Sequence, residues 1–468
     1  MRSSTTEIKR VIHFIALPLV AVCFAIALAG CGRAVSAPTA GDPGDKGSVF
    51  HATDYGVSTA SADNTAALQS AINACQEAGG GAVELPHGRL IIKGTLKLSS
   101  NNVWLRGMGR RTTVLYFDNG GADGIVVGNR IPAKPPIAAA ELHGNRITDM
   151  LMAHGKKTAG RTVAIINHTD FVMEKVLMDH CVVGVYAERI NNVVLRDVQI
   201  IADNPGALDK PDVRWSSWVG VYWDTPPNAN DPTSRSDVLY FNNVGVQMNN
   251  APGTGVLWDG MCHTLIISYA NILHGKYGFR VVNSRGDKHL RVPSFLNAFA
   301  LLIEGAETDL SIEAGTEFKM SASDFDMCKG NTIQILPDPC GSPTECVQIS
   351  NCRIGNCQKS ALYIDGQDVH LANNQIFTAS LAGNDCYPAI TVGPHARNVT
   401  IDGLQAEEAI GTRRASHAIT LEAGARNIMI DNLNASYIRQ SAIEDKGAVH
   451  LIVGKVMEPD GSLRMEKK

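Results

Sequence analysis

The sequence carries little net charge and has no long run of charges of one sign. Its 42 lysines and arginines nearly balance 46 aspartates and glutamates, and the formal net charge is −4. Proteins that bind the phosphate backbone of nucleic acids carry a clear excess of positive charge. The composition therefore gives no support to a nucleic-acid partner.

Amphipathic helical segments between strand patterns are also missing. From about residue 160 onward, no stretch of roughly 10–15 residues repeats its apolar positions with a helical period. A doubly wound α/β sheet and a TIM barrel both need such a helix between strands. The chain has 468 residues, 44% of them hydrophobic, and a single solenoid can bury a core of that size without helices.

Cysteine pairs with the C-x-x-C spacing of a zinc site are absent from the crowded segment 328–386. Its cysteines within the range 340–357 are separated by five, five and four residues. One or two local disulfides are therefore favoured over a metal site, as in a protein of an oxidising compartment. Cys181 and Cys262 lie among apolar residues and are predicted to be buried thiols.

The N-terminus has the pattern of an export signal. Basic residues precede an apolar run at 14–29, and the run ends in Leu28-Ala29-Gly30-Cys31. This ending resembles the lipobox of bacterial lipoproteins, in which Cys31 would be lipidated and become the mature N-terminus. Gly32 stands where that family has its inner-membrane retention aspartate, so the resemblance favours the outer membrane. The alternative is an uncleaved anchor, although the run is slightly short for a membrane span.

The chain is accordingly predicted to have four parts. Residues 1–30 form the signal peptide, 31–48 a flexible tether, 49–456 the folded body and 457–468 a disordered tail. One helix is predicted at residues 65–78, because Asp63 and Asn64 are good caps and an apolar stripe follows them. A solenoid needs its open end covered, and this helix is placed to cover it.

Two short strand patterns recur along the body. The first begins with Gly or Ala and alternates apolar residues, as in 184–188, 220–224, 255–259, 278–282, 300–304, 361–365, 389–393 and 418–422. The second follows a turn and begins with Asn or Asp, as in 192–197, 237–242, 368–373, 398–402 and 427–431. Such strands can bury their apolar side chains only by stacking coil upon coil, which predicts an all-β parallel β-helix. The Asn and Asp residues at the turns are read as structural.

The N-terminal part of the body resembles a known family. The segments DYGV at 54–57, DNTAALQSAI at 63–72, GGGAVELPHG at 79–88 and LRGMG at 105–109 look like the opening of the pectate lyase superfamily, in its rhamnogalacturonase and epimerase-like branch. The resemblance implies a right-handed single-stranded parallel β-helix and a saccharide substrate. The Asn-x-Asp, Asp-Asp, Gly-His-Gly and Arg-x-Lys motifs of polygalacturonase-like members are absent. The resemblance therefore assigns no catalytic residues.

Aligning the copies of the first pattern places a column of acids on the outer face of one sheet. If Val185, Val221 and Val256 point into the core, alternation turns Tyr186, Tyr222, Leu257 and Arg280 outward. The acids of the same parity are Glu188, Asp224, Asp259, Glu304 and Asp365. Carboxylates one or two coils apart would lie roughly 5–10 Å from each other, which suits paired acid–base chemistry or a calcium ion. A solvated row of turn-forming acids is the alternative, and Asp224 and Asp259 are the favoured catalytic pair.

Tryptophans cluster beside these acids. Trp215 and Trp218 fall in the insertion 202–236 and are predicted, with Tyr222, to contact a sugar. Trp223 and Trp258 share the parity of the core valines, so they either flank the site or form a buried aromatic stack.

Basic residues follow on the neighbouring coil. They include Lys276, Arg280, Arg285, Lys288, His289 and Arg291. Surface charge is one explanation. In the other, Arg285 and His289 bind a uronate, and Arg280 or Lys276 removes a proton in β-elimination.

Taken together, these patterns predict a polysaccharide-cleaving enzyme, lipid-anchored in the cell envelope, that acts on an acidic or mixed glycan. Hydrolysis by two of Glu188, Asp224 and Asp259 would need no metal, whereas lyase chemistry would use calcium on the same acids. A non-catalytic β-helix that binds or organises a polysaccharide is the competing class. The oligomeric state is left open between a monomer and a trimer.

Overall fold

A computed structural model of the chain describes residues 48–129, 142–156, 159–203, 218–225, 236–249, 252–284, 293–339, 341, 343–407 and 414–465. The signal peptide, Cys31 and the tether lie outside the described residues. Among the described residues, none of the helices combines the length and the apolar character needed to cross a membrane.

The predicted capping helix is present as α1 (Thr65–Glu77), after a short 3-10 turn at Ala52–Tyr55. The Asp63 carboxylate accepts hydrogen bonds from the backbone N–H and the hydroxyl of Thr65, which fixes the first turn. Leu68, Ala71, Ile72 and Cys75 are fully buried and join the main core. The helix thus packs its predicted apolar stripe against the first coils.

The strands form three faces of a parallel β-helix, here called A1, A2 and B. Face A1 contains β1 (Val49–His51), β2 (Gly81–Glu84), β5 (Val103–Arg106), β19 (Ser294–Phe299), β22 (Thr316–Ser321), β25 (Glu345–Ser350), β28 (Gln367–Ala372), β31 (Arg397–Asp402), β34 (Arg426–Asp431) and β37 (Val449–Val453). Face A2 contains β3 (Gly88–Ile92), β6 (Thr113–Phe117), β20 (Leu301–Glu304), β23 (Asp324–Asp326), β26 (Arg353–Gly355), β29 (Gln375–Phe377), β32 (Gln405–Glu407), β35 (Leu433–Asn434), β38 (Lys455–Met457) and β39 (Leu463–Met465).

Five longer strands run across both A1 and A2, and the third face is a separate sheet. The long strands are β9 (Arg146–His154), β11 (Val172–Asp179), β13 (Val193–Ile201), β15 (Leu239–Gln247) and β17 (His263–Leu273). Face B contains β4 (Leu96–Leu98), β7 (Ile125–Gly128), β8 (Leu142–His143), β10 (Arg161–Thr169), β12 (Val183–Asn191), β14 (Val219–Thr225), β16 (Thr254–Gly260), β18 (Tyr277–Val282), β21 (Thr308–Ile312), β24 (Ile333–Ile335), β27 (Leu362–Ile364), β30 (Ile390–Val392), β33 (Ile419–Leu421) and β36 (Ile443–Asp445).

The predicted right-handed parallel β-helix is confirmed. Copies of the first sequence pattern form strands of face B, such as β12, β14 and β16, which pair in parallel and in register. Copies of the second pattern begin the A1 strands, such as β28, β31 and β34. Asn351 and Asn373 lie at the bend from A1 to A2 with φ of 53° and 52°. Such left-handed backbone is tolerated best by Asn, Asp and Gly, which explains the turn residues of the repeat.

One copy of the first pattern was assigned to the wrong face. Residues 300–304 include β20, which lies on A2, where Glu304 pairs with Leu273 and Asp326. The face B strand of that coil is β21, directly before Glu313. Glu304 therefore does not belong to the acid column. Both faces alternate buried and exposed residues with the same period, so alternation alone could not separate them.

A column of small residues explains why glycine opens the early copies of the first pattern. A Cβ atom on Gly220 would lie 2.2 Å from Cγ1 of Val246 and 2.5 Å from the carbonyl oxygen of Gly255. Gly184, Gly255 and Gly278 meet β-branched side chains of A2 in the same way. Face B and face A2 approach closely along this line, which leaves no room for a side chain.

Two smaller predictions need correction. The tail from Met457 is not wholly disordered, because Leu463–Met465 forms β39 and pairs antiparallel with β38. No disulfide forms among the eight cysteines of the described ranges, whereas local bridges were expected between 328 and 386. Cys340 lies outside the described residues. The expectation that Cys181 and Cys262 are buried thiols is confirmed.

Candidate functional site

The predicted acid column forms on the outer side of face B. Glu188, Asp224 and Asp259 occupy matching positions of β12, β14 and β16. Val185, Val221 and Val256 are buried in the main core, so the parity assigned to the column is confirmed. Tyr186 and Tyr222 stand side by side two positions earlier, with their rings edge-to-face at 5.3 Å between centroids.

Tyr186 connects two of the acids. Its hydroxyl oxygen lies 2.8 Å from Oε2 of Glu188 and 3.1 Å from Oδ2 of Asp224. A phenol has one hydrogen, so it donates to one carboxylate at a time, and the second contact becomes a hydrogen bond when a carboxyl group holds a proton. Burial, reinforced by the charges of Asp224 and Glu188, raises the pKa of Tyr186 far above its usual range. The phenol therefore keeps its proton, and the three groups form one proton-sharing unit.

Two arginines surround this unit. Nη1 of Arg189 donates to Oε1 of Glu188 at 2.7 Å. The guanidinium of Arg161 lies over the Tyr186 ring at 4.5 Å and donates twice to Asp123, at 3.0 and 2.6 Å. Burial of Arg161 opposes its charge, but the hydrogen bonds and charge of Asp123 prevail and raise the pKa of Arg161. The unit thus lies between two fixed positive charges.

Asp259 has a different environment from Glu188. It is fully buried. Its Oδ1 accepts the backbone N–H of Ser284 at 2.9 Å, and its Oδ2 accepts the Ser284 hydroxyl at 2.6 Å. Asp224 is 3% exposed. The favoured pair was Asp224 and Asp259, but the shared hydroxyl of Tyr186 joins Asp224 to Glu188, and Asp259 anchors the chain that leaves β18.

The tryptophans do not form a sugar platform in the described part of the chain. Trp223 and Trp258 stack at 5.1 Å between centroids inside the core, so the buried-stack interpretation is confirmed. Trp218, which was predicted to contact a sugar from the insertion, has a side chain that is only 2% exposed and belongs to the same core. It directly precedes β14, which carries it inward. Trp215 lies outside the described residues.

The basic residues of the next coil are held by their neighbours. Nε and Nη2 of Arg280 donate to the two carboxylate oxygens of Glu313 at 2.7 and 2.8 Å. Although burial opposes the charge, Glu313 raises the pKa of Arg280. An arginine must lose its proton before it can act as a general base, so this pairing opposes the predicted base role of Arg280. Lys276 lies 5.6 Å from the centroid of the Tyr277 ring. Arg285 and His289 lie outside the described residues.

A calcium site on the acid column does not fit the observed contacts. In the described ranges, no group of three or more His, Cys, Asp or Glu side chains converges on a point that could hold a metal ion. Glu188 is engaged by Arg189 and Tyr186, and both oxygens of Asp259 are engaged by Ser284. Within the described residues, these carboxylates therefore bind protein groups and do not by themselves supply the six to eight oxygen ligands of a calcium ion.

Sequence reasoning missed three residues of the site. Arg161 lies one coil before Glu188 and has no counterpart in the repeat, so no pattern singled it out. Arg189 follows Glu188 directly and has φ of 48°, a bend that turns its side chain back to the acid. Glu313 was not identified because the copy at 300–304 was assigned to face B in place of β21, which directly precedes Glu313. A correct register of that copy would have shown Glu313.

Similar solved structures share the fold. The chain resembles the A-module of the mannuronan C-5 epimerase AlgE4 of Azotobacter vinelandii, with 18% identity, 87% of this chain and 97% of that chain covered, and a TM-score of 0.52. It also resembles tailspike protein 3 of bacteriophage CBA120, with 10% identity, 86% and 61% coverage, and a TM-score of 0.57. The Dettilon tailspike protein gives 12% identity, 86% and 68% coverage, and 0.51. No family model and no curated protein matches the sequence.

Proposed function

We propose that this chain is a polysaccharide-cleaving enzyme and that Glu188 and Asp224 are its two catalytic carboxyl groups. The observation that carries the proposal is the single hydroxyl of Tyr186 shared by the two carboxyl groups. Because the two contacts measure 2.8 and 3.1 Å, the contacting oxygens lie no more than about 6 Å apart, a range that includes the roughly 5–5.5 Å spacing of retaining glycosidases and is shorter than that of inverting ones. The neighbour named as a mannuronan C-5 epimerase supports a saccharide substrate, because it shares the same solenoid.

The contacts assign a role to each group. The ion pair with Arg189 stabilises the anion of Glu188, which suits the nucleophile at the anomeric carbon. Asp224 then donates a proton to the glycosidic oxygen and later activates the water that releases the sugar. Tyr186 holds the two carboxyl groups at their spacing and does not ionise. No metal takes part in these steps.

Cleavage of glycans by the full-length protein in detergent tests the proposal. We expect new reducing ends from at least one acidic or mixed glycan, with no rise in the ultraviolet absorbance of an unsaturated uronate and no effect of a chelator. Absorbance that rises only with calcium would replace hydrolysis by lyase chemistry with Lys276 as the candidate base. Binding without any cleavage would place the protein in the non-catalytic class.

We further propose that Cys31 carries a lipid that anchors the enzyme in the cell envelope, facing its polysaccharide at the outer membrane. The sequence before Cys31 supports this placement. Changing Cys31→Ser should move the protein from the membrane fraction to the soluble fraction or leave it unprocessed in the inner membrane. Unchanged processing and unchanged outer-membrane recovery would contradict a lipid at Cys31.

A further inference from the structure

A groove far from Glu188 and Asp224 runs along the bend between A1 and A2. Its volume is about 350 Å³, and its walls come from three successive coils that contain β26, β29 and β32. The wall residues are Asn351, Arg353, Asn373, Gln375, Gly403 and Gln405. The first of these coils lies six strands beyond β12 on face B, or roughly 30 Å along the axis at ~4.8 Å per strand. The groove is therefore separate from the unit around Tyr186.

The floor of the groove is rigid. Asn374 is buried, accepts the N–H of Cys352 at 3.0 Å and donates to the carbonyl oxygen of Ile349 at 2.8 Å. On the A2 side, Arg353, Gln375 and Gln405 occupy matching positions of neighbouring strands. The side chains of Arg353, Gln375 and Gln405 are thus spaced by the coil repeat of ~4.8 Å.

The amides at the rim are unusual for this bend. Elsewhere along it, Asn243 donates to Asp197 at 2.6 Å and Asn432 donates to Asp402 at 2.9 Å. The side chains of Asn351, Asn373 and Gln405 are exposed and make no hydrogen bond to the described residues. Each amide offers both a donor and an acceptor to a ligand. At this bend, the amides of Asn243 and Asn432 are thus paired within the protein. Those of Asn351 and Asn373 instead face outward in the groove.

The positive charge of Arg353 is already neutralised by neighbouring carboxylates. Nη1 of Arg353 contacts the carboxylate oxygens of Asp324 at 3.1 and 3.4 Å, and the guanidinium lies 3.7 Å above the centroid of the Phe377 ring. The carboxylates of Asp324 and Asp326 outnumber this one positive charge, so a uronate would gain little from Arg353. Nε and Nη2 of Arg353 stay available as hydrogen-bond donors to neutral oxygens.

We propose that this groove binds a neutral sugar unit of a glycan, through amide and guanidinium hydrogen bonds to its hydroxyl groups. A cavity of this size lies at the lower end of small-ligand sites, which fits one or two sugar units. The site would hold a polysaccharide independently of cleavage, so the inference does not require the acid column to be catalytic.

Calorimetry of the full-length Glu188→Gln protein with neutral hexasaccharides (cello-, malto-, laminari- and mannohexaose) and with an acidic hexauronate tests the site. We expect at least one neutral hexasaccharide to bind more tightly than the hexauronate. In the same background, Gln375→Ala combined with Gln405→Ala should weaken that binding at least tenfold. Gln348→Ala is the matched control, because Gln348 is an exposed amide of the same coil on A1, outside the groove.

Three outcomes overturn the inference. They are no binding of any neutral hexasaccharide, tighter binding of the hexauronate, and equal binding by the double variant and the Gln348→Ala control. Circular dichroism checks that each variant is folded. Because binding is measured in a protein that lacks Glu188, a failure of the cleavage proposal leaves this test unaffected.

Discussion

Replacing Glu188 by glutamine is expected to lower kcat/KM for glycan cleavage by at least the ~10²- to 10⁴-fold that one positioned acid–base group contributes, because an amide cannot act as the nucleophile. Glutamine keeps the shape of the side chain and can still contact Tyr186, but it cannot carry the negative charge that Arg189 stabilises. Asp224→Asn should lower kcat/KM by about 10²- to 10⁴-fold, because it removes the group that transfers the proton. Rates of reducing-end formation on the most active glycan provide the measurement.

The control for this experiment is Glu422→Gln. Glu422 directly follows β33 on face B, many coils away, and its carboxylate accepts a hydrogen bond from Lys446 at 3.1 Å. The control should retain wild-type activity. Full activity of Glu188→Gln would remove Glu188 from the mechanism, and an equal loss in the Glu422→Gln control would show that the face as a whole is being disturbed.

Replacing Asp309 by alanine is expected to stabilise the fold at neutral and alkaline pH by about 1–3 kcal/mol. Asp309 follows Gly278 in the column of small residues and is fully buried. Its Oδ1 accepts one N–H, from Ala306 at 3.3 Å, and its Oδ2 has no hydrogen-bond partner in the part of the chain that the structure describes. Alanine or glycine fills this place in most other coils, so the smaller side chain should fit without a cavity.

The pH dependence gives the clearest readout. Burial, reinforced by the charges of Asp326 and Glu304, raises the pKa of Asp309 well above its usual 3.8. Between the unfolded pKa of 3.8 and the folded pKa, the folded protein therefore holds a proton that the unfolded chain has released. Wild-type stability then falls as pH rises from 3.8 toward the pKa of Asp309 in the folded state. Urea midpoints of Asp309→Ala and wild type should nearly coincide at about pH 4 and diverge at about pH 8.

The exposed Glu307, two residues earlier in the same turn, provides the control. Glu307→Ala should follow the wild-type pH dependence. If Asp309→Ala is less stable than wild type at about pH 8, or diverges from it in the same way as Glu307→Ala, then the Asp309 carboxyl is not the destabilising group.

The solenoid could be predicted from the repeat because each coil buries the same alternating apolar positions against its neighbours. The copies 184–188, 220–224 and 255–259 all begin with the glycine that lies where faces B and A2 approach closely. Aligning the copies on this glycine therefore also gave the correct register of the face B strands. The copy at 300–304 failed for a physical reason, since A2 strands carry the same alternation as face B strands. Only the length of the intervening turns could have separated them.

The site was less predictable than the fold. Register alone placed Glu188, Asp224 and Asp259 in one column, but it could not show that Tyr186 joins the first two while Ser284 engages the third. Those contacts depend on side-chain rotamers and on where the chain goes after β18. Trp218 was predicted to contact a sugar but is buried. The sequence shows that an insertion is present, but it does not show where the chain re-enters the core at the start of β14.

The distribution of large aromatic side chains has a consequence for how the chain folds. Trp218, Trp223, Trp258, Phe241, Phe279 and Phe318 are all buried in the middle coils. The longest continuous strands, β9 to β17, lie in or next to the same region. In a linear array each coil contacts only its neighbours, so order can begin at one place and spread outward. We expect the middle coils to form the folding nucleus, with each finished coil serving as a template for the next, toward α1 in one direction and toward β38 in the other.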